Sequence, residues 1–190
     1  MIRQAGIEDI KNIIDLHLRS FGKNHFSAIL NKKLLKNYFT KLITMNKYCF
    51  VFYETDKNEL QSYLIAGFNT NEAVSSFTKE NVMQLFLALL KNPSFVPEKI
   101  IELFKNVFGK TKNKRTKCRL YIISVDERHK GRGIGNEITK HLENELRKDG
   151  IDVYGLSVRK DNKNAIGFYN KSGYTFDFEN SKSIYYLKNI

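Results

Sequence analysis

The sequence is poor in the features that mark exported, disulfide-stabilised or membrane-spanning proteins. Its 190 residues include only two cysteines, Cys49 and Cys118. Both lie in strand-like runs without metal-site spacing, which predicts buried free thiols and no bound metal. No apolar run is long enough to span a bilayer, and the first residues lack the apolar core of a signal peptide. Together these absences predict a cytoplasmic protein.

Acidic residues are also in short supply. Lys and Arg total 32 against 20 Asp and Glu, which gives a net charge of +12. Six of the positive charges lie in residues 110–119, which contain no acidic residue. Such a run usually forms a solvated loop. Its alternative roles are to bind nucleic acid, an anionic membrane or an acidic substrate. We expect no nucleic-acid partner, and contact with a membrane surface is the less favoured alternative.

Hydrophobic periodicity predicts a chain of mixed α/β type. The predicted strands are residues 2–5, 47–54, 60–68, 152–158, 175–178 and 184–188, with a central strand that begins at residue 120. The predicted helices are residues 8–19, 27–44, 79–91, 134–148 and 165–171, with one more that begins near residue 97. No internal repeat or low-complexity linker divides the chain, so we expect one domain that spans residues 1–190.

Residues 120–136 combine the features of an anion-binding turn. An apolar, β-branched run predicts a buried strand, and a charged turn with three glycines leads from it into an amphipathic helix. The first N–H groups of a helix have no partner within the helix, and the helix dipole adds positive charge there. The glycines leave those amides uncovered, and two basic side chains lie among them. The stretch therefore predicts a site for a pyrophosphate.

Two common phosphate-binding loops do not match this stretch. A Walker loop needs four residues between its first glycine and a Gly-Lys-Ser/Thr end, which the chain lacks. The dinucleotide fingerprint G-x-G-x-x-G needs a third glycine where the two possible registers have Ile138 and Asn136. Residues 130–135, in sequence K-G-R-G-I-G, instead resemble the acetyl-CoA loop Q/R-x-x-G-x-G/A of the GNAT N-acetyltransferase superfamily. Lys130 replaces the usual first residue of that loop.

A second segment, residues 156–174, resembles the other half of the family's pattern. In it a strand is followed, at the family's spacings, by Asn162, Ala165, Tyr169, Gly173 and Tyr174. The resemblance extends from about residue 120 to residue 178. It implies the GNAT fold, an α/β (α+β) arrangement in which a mixed, mostly antiparallel sheet has splayed central parallel strands and is flanked by helices. Residues 70–117 exceed the minimal family plan and imply a helical insertion.

The insertion has two interpretations that the sequence leaves open. Its predicted helix 79–91 is apolar on most sides, which indicates burial in an interface or beneath a lid rather than exposure. The helical pair either thickens the core or covers the acceptor site, and the pattern does not separate the two.

The resemblance implies specific contacts with acetyl-CoA as the cosubstrate. The pantetheine arm pairs with backbone groups of the central strand, and the pyrophosphate lies on amides at the helix start. The implied cofactor contacts are Ile123, Ser124, Val125, Lys130, Gly131, Arg132, Gly133, Ile134, Gly135, Asn136 and Asn162. Asn162 also suits the N-cap of the following helix, which is its alternative role.

Tyr169 occupies the position of the family's general acid. A phenol, with an ordinary pKa of about 10, keeps its proton at neutral pH and can give it to a thiolate held close by. The alternative is a core tyrosine on the inner face of a short helix. The general base is left open, because Arg119 and Ser157 stand where some GNAT enzymes carry a glutamate. A water chain, His25 and Glu72 are the candidates for that role.

The predicted activity is transfer of an acetyl group from acetyl-CoA to a primary amine by direct attack. Residues 21–43 and the apolar insertion resemble GNAT proteins of bacterial surface-polysaccharide synthesis, which implies a small-molecule acceptor such as an amino-sugar nucleotide. One alternative is a protein or peptide N-acetyltransferase. Another is a non-catalytic GNAT-fold module that binds its partner through the basic run 110–119. The sequence does not predict an oligomeric state.

Overall fold

The computed structural model describes residues 1–21, 27, 30–56, 58–91 and 116–190. In this part of the chain the strands are β1 Ile2–Gln4, β2 Tyr48–Glu54, β3 Glu59–Gly67, β4 Arg119–Val125, β5 Val153–Arg159, β6 Thr175–Glu179 and β7 Ser183–Asn189. The α-helices are α1 Ile10–Ser20, α2 Lys32–Met45, α3 Thr70–Glu80, α4 Val82–Leu90, α5 Ile134–Lys148 and α6 Lys163–Lys171. Single 3₁₀ turns, Ile7–Asp9 and Glu127–His129, precede α1 and follow β4.

The strands form one mixed sheet in the order β1-β2-β3-β4-β5-β7-β6. Every neighbouring pair is antiparallel except β4 and β5, which run parallel. The parallel pairing consists of Arg119 with Gly155 and Leu120 with Leu156, after which the two strands part. The predicted mixed sheet with splayed central parallel strands is therefore confirmed.

Each face of the sheet carries its own apolar core. On one face α1, α2 and α3 cover β1 to β4 with the buried residues Ile13, Leu16, Leu35, Phe39, Leu42, Ala73 and Phe77. On the other face α5 and α6 pack on β3 to β7, and α5 presents Ile138, Leu142 and Leu146 to the sheet at helical spacing. The helix stripe predicted for residues 134–148 is confirmed, since those three side chains are 0% exposed.

The predicted helix 79–91 is present in a shorter form, as α4 Val82–Leu90. Residues 70–90 form two helices that break at Asn81, whose side-chain amide donates a hydrogen bond to the Phe77 carbonyl at 2.8 Å. The first of them, α3, is part of the core. In α4 only Leu85 and Leu89 are buried, whereas Val82, Met83, Phe86, Leu87 and Leu90 are 50–64% exposed. The predicted helix near residue 97 and most of the basic run lie outside the described residues, and the 70–117 insertion stays a prediction.

Smaller features of the sequence are also placed by the structure. Helix α2 begins at Lys32 rather than near residue 27, because the Asn31 side chain caps it and accepts the Leu34 N–H at 2.9 Å. Cys49 and Cys118 are buried free thiols, as predicted, and burial raises the pKa of each to about 12. None of the helices in the described part of the chain has both the length and the apolar character needed to span a membrane.

The core beneath α5 gives a direct stability test. Leu142→Ala should lower the free energy of unfolding by about 2–5 kcal/mol, because it removes a fully buried side chain and leaves a cavity. Leu18→Ala on the exposed side of α1, where Leu18 is 37% exposed, should change it by less than about 1 kcal/mol. Urea denaturation of both variants measures the difference, and equal effects would contradict this assignment of the core.

Candidate functional site

The gap between β4 and β5 exposes backbone groups of β4. Just beyond β4, the Asp126 N–H donates to a carbonyl of β3 at 2.8 Å. Because successive strand residues direct their N–H and C=O groups to opposite sides, Ser124 also faces β3, and the Ser62 hydroxyl donates to its carbonyl at 2.7 Å. By the same alternation, the backbone N–H and C=O groups of Ile123 and Val125 point away from β3 and into the gap. Of the three strand residues predicted to contact the cofactor, these two have backbone groups available for pairing.

A β-bulge at Tyr121 accounts for the bend that takes β4 away from β5. Leu120 and Ile122 pair with adjacent residues of β3, so Tyr121 is the extra residue between them. The Tyr121 hydroxyl lies 3.0 Å from that of Tyr38 on α2, which ties the bulge to the helical layer. On the other side, β5 stays paired with β7 along its whole length. Beyond Leu120 and Leu156, each of the two strands is therefore paired only to its outer neighbour.

A buried aspartate fixes the chain where it leaves β4. Asp126 is 3% exposed and accepts hydrogen bonds from the Arg128 backbone and guanidinium at 2.7–3.0 Å and from Arg19 at 3.1 Å. Arg128 also pairs with Glu59 at 2.5 Å. The hydrogen bond from the Arg128 side chain contributes most to holding the pKa of Asp126 well below its usual range, and the other bonds add to it. Asp126 therefore stays ionised. Sequence reasoning missed this network, although an aspartate whose side chain accepts an N–H two residues on is a recognisable turn signal.

The start of α5 is open to an anion. Gly131 and Gly133 have φ of +79° and +83°, a left-handed backbone that glycine adopts without strain. The first bond within the helix runs from the Glu137 N–H to the Gly133 carbonyl at 3.0 Å. The preceding N–H groups, without acceptors inside the helix, are those of Ile134, Gly135 and Asn136. A Cβ built at either loop glycine meets nothing within 4 Å, so the space over these amides is clear.

The other predicted loop residues take different positions. Lys130 and Arg132 are exposed, and Lys130 pairs with Glu127 at 2.7 Å. The Ile134 side chain is buried at 6% exposure, so only its backbone faces the loop. A Cβ on Gly135 would lie 3.3 Å from the ring of Phe168. The bare α-carbon of Gly135 thus lets α5 pack closely on α6, a reason the sequence analysis did not give.

Tyr169 lies on α6, the helix that follows β5, and Asn162 is the N-cap of that helix. Tyr169 is 7% exposed, and its ring contacts Phe168, Tyr174 and Tyr186 at 5.1–6.1 Å between centroids. Burial raises its pKa, so the phenol keeps its proton well above neutral pH. Asn162 caps the helix and accepts the Ala165 N–H at 3.1 Å, which confirms its alternative role as an N-cap.

Arg119 and Ser157 lie on the face of the sheet opposite Tyr169. Their strand neighbours Leu120 and Leu156 belong to the core beneath α5, so by alternation these two side chains point to the other face. Ser157 is exposed there, whereas Arg119 is buried at 7% exposure. Arg119 was counted in a solvated basic run, and that assignment is wrong for this residue. Neither position supplies a carboxylate base.

Other titratable side chains, among them the base candidates Glu72 and His25, take different positions relative to the described part of the chain. His17 is 1% exposed, with its ring nitrogens 2.6 Å from the Tyr63 hydroxyl and 2.7 Å from the Ser27 hydroxyl. Glu72 is exposed on α3, and His25 lies outside the described residues. Among the residues that the structure describes, no three His, Cys, Asp or Glu side chains are grouped to hold a metal ion. The general base stays unassigned.

Comparison with known proteins identifies relatives at the level of family and fold. A family profile described as "Acetyltransferase (GNAT) family" matches residues 38–174. A comparison with curated protein sequences gives no significant match. Solved structures are similar over nearly their full length, and one is a PaiA N-acetyltransferase from Thermoplasma acidophilum in complex with coenzyme A. It has 14% identity and a TM-score of 0.62, and the match covers 100% of this chain and 98% of that one.

Two further structures share the fold but are named for different acceptors. A polyamine N-acetyltransferase from Drosophila melanogaster, which forms N-acetylagmatine, has 12% identity and a TM-score of 0.61, with coverage of 100% and 99%. A ribosomal-protein-S18-alanine N-acetyltransferase from Escherichia coli has 14% identity and a TM-score of 0.54, with coverage of 100% and 93%. At these identities the likeness shows the fold alone.

The close contact between α5 and α6 predicts a difference between two glycines. Gly135→Ala must displace the Phe168 ring, while a Cβ at Gly167 meets nothing within 4 Å. We expect Gly167→Ala to be neutral or stabilising by up to about 1 kcal/mol, since alanine has the better helix propensity. The free energy of unfolding of Gly135→Ala should be lower than that of Gly167→Ala by about 1–3 kcal/mol. Chemical denaturation measures both, and Phe168→Leu added to Gly135→Ala should restore part of the loss; equal stabilities would refute the contact.

The Asp126 network predicts a pH-dependent contribution to stability. Its carboxyl has a lowered pKa in the folded state, so the stabilisation is present above the unfolded value near 4 and is lost as pH falls through the folded pKa. At pH 7, Asp126→Asn should lower the free energy of unfolding by about 1–3 kcal/mol, and the difference should shrink below about pH 4. Asp161→Asn, which disrupts an exposed pair with Arg159, should cost less than about 1 kcal/mol. A pH-independent difference at Asp126 would contradict the ionic role.

Proposed function

The chain belongs to the acetyltransferase (GNAT) family, and on that premise we propose that it transfers an acetyl group from acetyl-CoA to a primary amine by direct attack. The observation that carries the proposal is the parting of β4 from β5 beside the uncovered N-terminus of α5. A gap edged with free backbone groups accepts an extended chain, and a bare helix start accepts a diphosphate. Acetyl-CoA has both an extended pantetheine arm and a diphosphate.

The proposed cofactor contacts follow from that geometry. The diphosphate lies on the N–H groups of residues 134–136, with the exposed Lys130 and Arg132 adding positive charge. The pantetheine arm pairs with Ile123 and Val125 along the open edge of β4. The side-chain amide of Asn162, at the N-terminus of α6, lies beside the same gap and contacts the arm. These roles rest on exposure and backbone direction, and a structure with bound acetyl-CoA tests each of them.

The chemistry needs positioning, a polarised carbonyl and one proton. The amine nitrogen attacks the thioester carbon, the C–S bond breaks, and the Tyr169 phenol gives its proton to the departing thiolate. A β4 N–H directed into the gap donates to the thioester oxygen, which is typically worth about a hundredfold in rate. The amine loses its proton to water. The acceptor is proposed to approach from the face of the sheet opposite Tyr169, where the side chains of Arg119 and Ser157 lie.

The acceptor that we propose is a small primary amine. An amino-sugar nucleotide is the specific hypothesis from the sequence, and the positive net charge of +12 suits an acidic acceptor of that kind. Structures with the same fold are named for agmatine, polyamine and ribosomal-protein acceptors, so a peptide amine is the rival. A peptide acceptor favours an acidic open groove. The cytoplasmic location stays a prediction from the sequence.

Calorimetric titration with acetyl-CoA separates the enzyme from a pure binding module. One saturable site is expected, and its absence would refute the proposed function in favour of a module that binds through residues 110–119. A screen of amines, amino-sugar nucleotides and peptides, read as release of free thiol, then identifies the acceptor.

The acid role of Tyr169 predicts a selective loss of turnover. Tyr169→Phe should lower kcat by about 100-fold to 10,000-fold, with the dissociation constant for acetyl-CoA unchanged, since only the donated proton is lost. Tyr186→Phe, which alters a neighbouring ring of the same cluster, should leave kcat within about twofold of the wild type. Because burial raises the Tyr169 pKa, the wild-type rate should not fall through loss of this proton below about pH 10. Unchanged turnover in Tyr169→Phe would remove the assignment.

A further inference from the structure

A second polar cluster lies at the base of the gap, on the face opposite Tyr169. We call Thr116, Arg119 and Tyr185 the Arg119 cluster; the Arg119 guanidinium lies 5.5 Å from the centre of the Tyr185 ring. Thr116 and Arg119 are 5% and 7% exposed. Both converge over Gly155, where a Cβ would lie 2.7 Å from Thr116 Oγ1 and 3.0 Å from Arg119 Nη1. A side chain at residue 155 would therefore fill the space between the two donors.

Two donors of this cluster lack a hydrogen-bond partner in the part of the chain that the structure describes. Thr116 Oγ1 and Arg119 Nη2 are buried, and neither has a hydrogen-bond partner within the described parts of the chain. Burial lowers the pKa of Arg119, and the nearby Tyr185 and Asp177 oppose that shift. A buried guanidinium without a paired anion is costly, because it has lost its water without a replacement. Two convergent free donors, one of them a planar guanidinium, match the geometry of an oxyanion.

The position of the cluster relates it to the acetyl-transfer site. Arg119 pairs with Gly155 one residue before the last pairing of β4 with β5. The gap opens at Tyr121, two residues further, which is roughly 7 Å along an extended strand. The exposed Ser157 lies on the same face, two residues beyond Gly155 on β5 and level with the opening of the gap. A single small molecule therefore spans the distance from the cluster to an amine at the gap.

We propose that the Arg119 cluster binds a carboxylate or phosphate group of the acceptor, so that the substrate is a primary amine carrying an anionic group. This deepens the proposed function and rests on it. The oxyanion replaces the missing counter-charge of Arg119 and accepts from Thr116, which fixes one end of the acceptor while its amine enters the gap. Arg119, the first residue of β4, stands where some GNAT enzymes carry a glutamate base. In this proposal it binds the acceptor instead.

Matched acceptors test the inference and identify the group. One pair is glucosamine and glucosamine 6-phosphate, and the other is hexylamine and 6-aminohexanoate. In at least one pair the wild-type kcat/KM should be about tenfold to a hundredfold higher for the anionic member, the range expected for hydrogen bonds to a charged group. The pair that responds distinguishes phosphate from carboxylate. Equal rates within both pairs would overturn the inference.

Variants of the cluster separate binding from a structural role. Arg119→Gln should lower kcat/KM for the anionic acceptor much more than for the neutral member of the pair and so remove the preference, while Arg119→Lys should retain part of it. Arg159→Gln, an exposed arginine of β5 paired with Asp161, is the matched control and should keep the preference. An equal loss on both members of a pair would show that Arg119 acts only structurally, which overturns the inference.

Acetyl-CoA binding distinguishes failure of the proposed function from failure of the proposed role of the Arg119 cluster. Each variant should bind acetyl-CoA in calorimetry as the wild type does, since the cluster lies away from the proposed cofactor contacts. If Arg119→Gln does not fold, Thr116→Val removes one donor without changing charge and should reduce the anionic preference by about tenfold. A wild-type protein that does not bind acetyl-CoA refutes the proposed function and this inference together. A wild-type protein that binds it and acetylates amines without anionic preference refutes this inference alone.

Discussion

The parting of β4 and β5 after two paired residues is the constraint on which the rest of the structure depends. A sheet interior normally satisfies every backbone group, and a gap leaves donors and acceptors that need another partner. Here β4 has a bulge at Tyr121 and stays paired with β3, while β5 pairs with β7 along its whole length. The gap therefore lies between two strands that are each paired to an outer neighbour.

The same strand end directs the chain into the phosphate-binding turn. The charged network around Asp126 fixes the residues after β4, and two left-handed glycines then turn the chain into α5 with its first amides uncovered. The close packing of Gly135 on Phe168 places that helix start beside α6, which carries Tyr169. Three local features, each stabilised separately, therefore bring the proposed diphosphate site, gap and acid together. Arg119 lies on the opposite face of the sheet, where we propose that the acceptor binds.

The sequence predicted those parts whose signals are local. The glycine turn, the stripe of α5 and the cap at Asn162 follow from spacing within one or two turns of chain, and all are present. The splayed strands were expected through the family resemblance, since nothing in the apolar run of β4 indicates where its pairing stops. The burial of Arg119 and the four-residue network at Asp126 depend on partners far away in the chain, such as Tyr185 and Glu59. Without knowledge of those partners, a run of basic residues is interpreted as a solvated loop. The break between α3 and α4 at Asn81 also depends on residues that surround it in the fold.

Backbone amide NMR of the ¹⁵N-labelled protein during titration with CoA tests the central claim most directly. The account predicts saturable shifts, with one dissociation constant, for the N–H signals of Ile134, Gly135 and Asn136 at the diphosphate and of Ile123 and Val125 in the gap. Saturable binding that leaves these five signals unchanged would contradict it, because CoA would then be held by another part of the protein.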